Sequence, residues 1–195
     1  MELVPGVTLE DKWPTLDRLE RTDVCTQLRT LLTTLRSLRH EPDDEFFLGH
    51  VNREPLGDIA FTDGVRPSAG PFQSVAEFHE WMSFQTRIRF EPKFPGKLPW
   101  EIIDPWRDGL PDEAAAVFTH ADLHPSNIII ANDSSKIVAL IDWRQSGWYP
   151  EYWEYCKACY TADPYGEWMN EYIPLFLDEP ACFDTFEDYA RSFGY

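Results

Sequence analysis

Apolar side chains recur at spacings of three to five residues between positions 15 and 39, as they do on one face of a helix. The members of this apolar stripe are Leu16, Leu19, Val24, Leu28, Leu31, Leu35 and Leu38. Pro14, just before the stripe, favours a helix start. The pattern predicts one long amphipathic helix whose arginines lie on a solvated face: Arg29, Arg36 and Arg39.

A second helix is predicted by Ser74 and Glu77, which have the spacing of a capping box, and it should continue to about Arg89. Residues 40–70 before it are polar and interrupted by glycine and proline. We therefore expect an irregular excursion there, with one short strand near 46–51.

Proline shapes the next part of the chain. Five of the 16 prolines fall between residues 91 and 111 and exclude a regular helix there. A short helical turn is expected at 112–117. A further helix is predicted at 151–160, followed by helical and irregular structure to residue 195.

A β-hairpin is predicted from two apolar runs, 128–131 and 137–141. Residues 132–136 separate the two runs, and the first four of them are turn formers. Because the runs are apolar at successive positions, both faces of the hairpin should be covered by other structure.

A turn centred on 134–135 would place Asn127 directly opposite Asp142, with Cβ atoms about 5 Å apart. An amide oxygen and a carboxylate this close suit Mg²⁺, which prefers oxygen ligands and completes its shell with phosphate and water oxygens. Asp122, five residues before Asn127, adds a carboxylate that could accept a proton from a substrate hydroxyl. Together these side chains predict a phosphoryl-transfer site.

The motif H-x-D-x-x-x-x-N, formed by His120, Asp122 and Asn127, is followed by the hairpin and by Asp142. This order resembles the catalytic core of the aminoglycoside phosphotransferase and choline kinase family, which has the protein-kinase-like fold. The surrounding H-A-D-L-H-P-S-N and I-D-W are closer to these small-molecule kinases than to protein kinases, because Ala121 replaces the arginine of H-R-D.

The resemblance implies transfer of the γ-phosphoryl group of ATP to a small-molecule hydroxyl. It implies that Asp122 is the catalytic base and that His120 orders the catalytic loop. It also implies that Asn127 and Asp142 bind Mg²⁺. The backbone of Glu2 and Leu3, in the hinge between the two lobes, would bind the adenine of ATP.

The resemblance also predicts the fold class, which is α+β and predominantly helical. Residues 1–195 would form a kinase-like C-terminal lobe that starts at the inter-lobe hinge, with a short β-hairpin carrying the metal site and the N-terminal lobe absent. The ten glycines contain no G-x-G, and none of the five lysines lies on an early strand before a helix with a partner glutamate. The chain is therefore expected to be a truncated kinase, a shortened gene product or a non-catalytic, pseudokinase-like binding module.

A zinc-dependent hydrolase is the enzyme alternative. His120, Asp122 and His124 alternate along the chain, so an extended segment could point all three towards one metal ion. The other three histidines are distant in sequence and form no second ligand cluster.

Charge narrows the choice of partners. With 34 Asp+Glu against 17 Lys+Arg, the net charge of −17 argues against nucleic-acid binding. The longest apolar runs have five residues, too short to cross a bilayer, and residues 1–12 have no leader-like pattern. We therefore expect a cytoplasmic protein that does not bind membranes.

Two features of the C-terminal part have a plain interpretation. Residues 151–195 carry ten acids and several aromatics, which would suit a cationic acceptor, although solvated helix exteriors and core packing explain them more simply. Cys156 and Cys159 have C-x-x-C spacing inside a predicted helix, which favours buried, reduced thiols over a redox site.

Overall fold

The computed structural model describes residues 4–40, 45–61 and 68–193. Its helices are α1 (Leu9–Lys12), α2 (Arg18–Arg36), α3 (Val75–Phe90), α4 (Trp153–Tyr160), α5 (Ile173–Phe176) and α6 (Phe183–Phe193). Its strands are β1 (Val7–Thr8), β2 (Ala116–Thr119), β3 (Ile128–Ile130), β4 (Ile137–Leu140) and β5 (Gly147–Pro150). The predicted fold class, a predominantly helical α+β structure, is confirmed.

Helix α2 confirms the long helix but begins later than Pro14 suggested. Asp17 and Glu20 form a reciprocal capping box, so the chain enters the helix at Arg18, and Pro14 belongs to a separate 3₁₀ turn. The buried face of α2 is narrower than the predicted stripe. Val24, Cys25, Leu28 and Leu32 are buried, whereas Leu19 is 81% exposed.

The predicted solvated arginine face is confirmed for Arg29 and Arg39, which are exposed, whereas Arg36 is half-buried. Arg29 Nη2 lies 2.5 Å from Asp178 Oδ1, and Arg36 donates to the carbonyl oxygen of Glu151 at 3.2 Å. These arginines therefore tie α2 to the C-terminal part of the chain, because their long side chains reach acceptors there.

Helix α3 begins where the sequence predicts, with Ser74 accepting a hydrogen bond from the backbone N–H of Glu77. The strand expected near 46–51 is not formed, since only isolated bridges occur there: Leu48 pairs with Phe72, and Gly49 pairs with Trp148. The proline-rich stretch contains only short 3₁₀ turns, which agrees with the predicted exclusion of a regular helix.

The helical turn expected at 112–117 is wrong, because this region enters strand β2 instead. Strand β2 pairs antiparallel with β5, from Ala116 opposite Pro150 to Thr119 opposite Gly147. Long-range pairing thus overrides the local helical preference of the alanines.

The hairpin formed by β3 and β4 is confirmed, and β1 extends it to a three-stranded sheet of order β1-β3-β4. The expectation that both of its faces are covered is wrong for β4, the outer strand of this sheet. Val138 is 40% exposed, and Ile141, which follows β4, is 38% exposed. Val138 borders an apolar groove of about 350 Å³ between β4 and the second half of α2.

Two apolar clusters form the core. One packs α3, α4 and α6 against β5, and the other packs α2, α4 and α5 against β3. Cys156 and Cys159 lie buried and unbonded to each other on α4, in agreement with the plain interpretation of their spacing. In the described ranges, no helix combines the length and apolar character that crossing a bilayer requires.

Candidate active site

The H-x-D motif occupies a loop directly after β2, and the conformation of this loop depends on α4. Glu154 of α4, only 1% exposed, accepts hydrogen bonds from the backbone N–H groups of His120 at 2.7 Å and Ala121 at 2.9 Å. Ala121 adopts a left-handed conformation with φ of 64°, which is costly for a residue other than glycine. The carboxylate of Glu154 therefore stabilises a bend that presents Asp122 next in the chain.

Sequence reasoning missed Glu154. The one indication in the sequence was that this acid lies among aromatic residues, Y-W-E-Y, within a predicted helix. Burial raises the pKa of Glu154 to about 7, although the two backbone N–H groups act in the opposite direction.

The imidazole of His120 connects the two loops of the site. Its Nδ1 accepts from the backbone N–H of Asp122 at 3.2 Å, and its Nε2 lies 3.0 Å from the carbonyl oxygen of Ile141. This pattern requires the neutral tautomer with the proton on Nε2. Burial lowers the pKa of His120, which favours that neutral form, while Asp122 and Asp142 oppose the shift electrostatically. Both carboxylates therefore act on the same ring.

Asn127 and Asp122 are in direct contact. The side-chain Nδ2 of Asn127 donates to the backbone oxygen of Asp122 at 2.9 Å and to its carboxylate Oδ2 at 3.0 Å. These bonds fix the orientation of the amide. Among the described residues, no donor reaches Asn127 Oδ1, so this oxygen is available to a ligand.

Asp142 does not lie directly opposite Asn127, so the predicted register is wrong by one residue. Asn127 instead accepts from the backbone N–H of Ile141 at 2.9 Å. The physical reason is the position of the turn. The backbone N–H of Ala131 donates to the carbonyl oxygen of Lys136, so the turn is centred on 133–134 and the adjacent pairing is displaced by two residues. The irregularity between Ile129 and Ile130 restores one of the two. Asp142 follows as a left-handed residue with φ of 60° and ψ of 61°.

The donor set fits a magnesium ion that keeps phosphate and water ligands. Asp142 is exposed, and its carboxylate makes no ion pair or hydrogen bond within the part of the chain that the structure describes. One free carboxylate and one free amide oxygen are oxygen donors of the kind that Mg²⁺ takes from a protein when phosphates supply the rest. The described residues contain no group of three or more His, Cys, Asp and Glu that could hold a metal without such help.

The zinc alternative is not supported by the geometry. Both ring nitrogens of His120 are engaged by the protein backbone, and this ring is fully buried. His124 Nδ1 bonds to the hydroxyl of Ser126 at 2.8 Å. A zinc site needs imidazole nitrogens free to bind the metal.

The hinge residues expected to meet ATP, Glu2 and Leu3, lie outside the described residues. The predicted roles of the other four site residues stay predictions: Asp122, His120, Asn127 and Asp142. These residues lie on two loops, and the His120 ring forms hydrogen bonds to both loops.

The comparison with family models decides the ancestry of this site. The model of the phosphotransferase enzyme family, APH, matches residues 1–184. The chain belongs to this family. The resemblance stated from the H-x-D-x-x-x-x-N motif is therefore confirmed at the level of a phosphotransferase family.

Among solved structures, the chain is similar to a crystal structure of an aminoglycoside-3'-phosphotransferase of type VIII. The identity is 17% and the TM-score 0.45, and the match covers 96% of this chain but 58% of that one. The chain thus spans little more than half the length of this relative. The comparison with curated proteins found no match.

Proposed function

We propose that the chain binds ATP with Mg²⁺ and carries the machinery for transferring the γ-phosphoryl group to a small-molecule hydroxyl. The observation that carries the proposal is the arrangement of Asn127, whose amide holds the carboxylate of Asp122 on one side and leaves an oxygen free on the other. Family membership supports the reaction class.

Each of the residues has a distinct part in this proposal. Asp122 orients the acceptor hydroxyl and takes its proton, since its carboxylate forms no ion pair with a described cation and is held in place by Asn127. Asn127 Oδ1 and the Asp142 carboxylate would hold Mg²⁺, which supplies charge neutralisation to the phosphates when bound. His120 fixes the distance between the two loops through its two ring nitrogens.

The test compares Asp122→Asn with Asp142→Asn. Asp142→Asn should weaken Mg²⁺-dependent ATP binding, because it removes an anionic ligand, whereas Asp122→Asn should leave that binding within about twofold and abolish transfer. Calorimetry with ATP in the presence and absence of Mg²⁺ measures binding, and phosphate-labelled product measures transfer. Equal binding by the wild type and Asp142→Asn would contradict the metal assignment.

A non-catalytic nucleotide-binding module is a second candidate, and two of the five lysines favour it. Lys157 is buried against Asp58, and Lys12 donates to the carbonyl oxygen of Asn132 at 2.7 Å. Neither is free to contact a phosphate, and the sequence contains no G-x-G. Binding of Mg²⁺ and ATP without transfer to any of a panel of hydroxyl compounds would support this candidate over the kinase.

A further inference from the structure

The excursion before α3 lies against the residues that directly follow Asp142. The backbone of Gly57 approaches Arg144 so closely that a Cβ at position 57 would lie 2.9 Å from the Arg144 carbonyl oxygen. Two residues later, the backbone N–H of Ile59 donates to Oε1 of Gln145 at 3.0 Å. This part of the chain therefore holds the turn after Asp142 from outside the hairpin.

Asp58, which lies between Gly57 and Ile59 in the chain, forms a completely buried ion pair with Lys157. Its Oδ1 lies 2.8 Å from Lys157 Nζ, and both side chains are 0% exposed. Asp58 Oδ1 also accepts from the backbone N–H of Ala60 at 2.9 Å, and Oδ2 accepts from the indole N–H of Trp153 at 3.0 Å. Both oxygens of the carboxylate are thus satisfied, which a buried charge requires.

Lys157 extends the network to Gln145. Its Nζ lies 3.5 Å from Gln145 Oε1, the same oxygen that accepts from Ile59. Gln145 is buried and stands three residues after Asp142, in the 3₁₀ turn Trp143–Gln145. Two donors, one from the excursion and one from α4, therefore converge on one amide oxygen of this turn.

A buried ion pair is weak evidence for stability, because desolvation of the two charges offsets much of their attraction. The ion pair does restrict the positions of its two side chains, because moving either one leaves a buried charge unpaired. We propose that Asp58 and Lys157 are positioning residues that hold Gln145, and with it the left-handed turn that aims the Asp142 carboxylate at the metal site. This inference rests on the proposed function.

Gln145→Leu removes the link and leaves the ion pair, whereas Lys157→Met breaks the ion pair itself. Gln145→Leu deletes the shared acceptor, and Thr86→Val is the matched control, since it removes a buried 2.8 Å hydrogen bond to Ser192 in the core away from this turn. Gln145→Leu and Lys157→Met should lower the Mg²⁺-dependent gain in ATP affinity by about tenfold or more, as loss of outer partners of a metal site does. ATP affinity without metal should not change, and Thr86→Val should keep the full gain.

Amide hydrogen exchange gives a readout that needs no nucleotide. In Gln145→Leu the amides of 142–147 should exchange faster while those of 120–123 stay protected, and Thr86→Val should leave both segments unchanged. An unchanged metal-dependent gain in Gln145→Leu would overturn the inference. If the wild type shows no Mg²⁺-dependent ATP binding, the proposed function fails, and exchange at 142–147 alone decides whether Gln145 holds the turn.

Discussion

Replacing Glu154 by Gln tests how the loop after β2 is held in place. The pKa of this carboxyl rises from 4.5 to about 7 on folding because the group is buried. Between pH 4.5 and about 7 the folded protein binds more protons than the unfolded chain. The contribution of Glu154 to the free energy of unfolding is therefore fully present below pH 4.5 and is lost as pH rises through 7. At about 1.4 kcal/mol per pKa unit, the loss amounts to about 3 kcal/mol.

Glutamine cannot titrate, so the comparison isolates this effect. The stability of the wild type minus that of Glu154→Gln should fall by about 3 kcal/mol between pH 4.5 and pH 8, measured by urea unfolding at several pH values. At every pH the variant lacks one acceptor for the N–H groups of His120 and Ala121, at a cost of about 1–3 kcal/mol. Glu151→Gln, at an exposed position of the same segment, controls for the change in net charge. A difference that stays constant or grows with pH would refute the reasoning.

Two further predictions concern the fold. Leu28→Ala in the buried face of α2 should lower the free energy of unfolding by about 2–5 kcal/mol, whereas Leu19→Ala, at an 81% exposed position, should change it by no more than about 0.5 kcal/mol in the same urea titration. Ala121→Val places a β-branched side chain at a left-handed, buried position and should cost about 1–3 kcal/mol, seen as a lower melting temperature. Ala121→Gly, which is free of that strain, should melt close to the wild type, and a Val variant equally stable would contradict the assigned backbone.

Local patterns predicted the parts of this fold that local forces determine. Helix α2 was predicted from its apolar period and α3 from the side-chain cap at Ser74, whereas the cap of α2 at Asp17 was missed. Strand β2 was missed because its partner, β5, lies about thirty residues away and leaves no periodic trace in A-A-A-V-F. The exposure of Leu19 escaped prediction for a related reason, since spacing alone does not say how wide the packed face of a helix is.

In the candidate site, too, the sequence predicted what depends on local spacing and missed what depends on distant contacts. The spacing of Asp122 and Asn127 predicted their proximity, and the two side chains are in contact. The position of Asp142 was predicted one residue out of register, because four consecutive turn-forming residues do not indicate on which pair the turn is centred. Glu154 and Asp58 could not be found, since each acts through a partner that is distant in sequence.

The pairing of β2 with β5 has a consequence for how this site is built. Thr119 and Gly147 face each other at the two ends of the segment 120–146. This segment contains the candidate base Asp122 and the candidate metal ligands Asn127 and Asp142. This backbone pairing therefore fixes the distance between the two ends of the segment, and the His120 ring links the two loops within it. Substitutions elsewhere on the surface can therefore accumulate without altering the distance between the two ends of this segment.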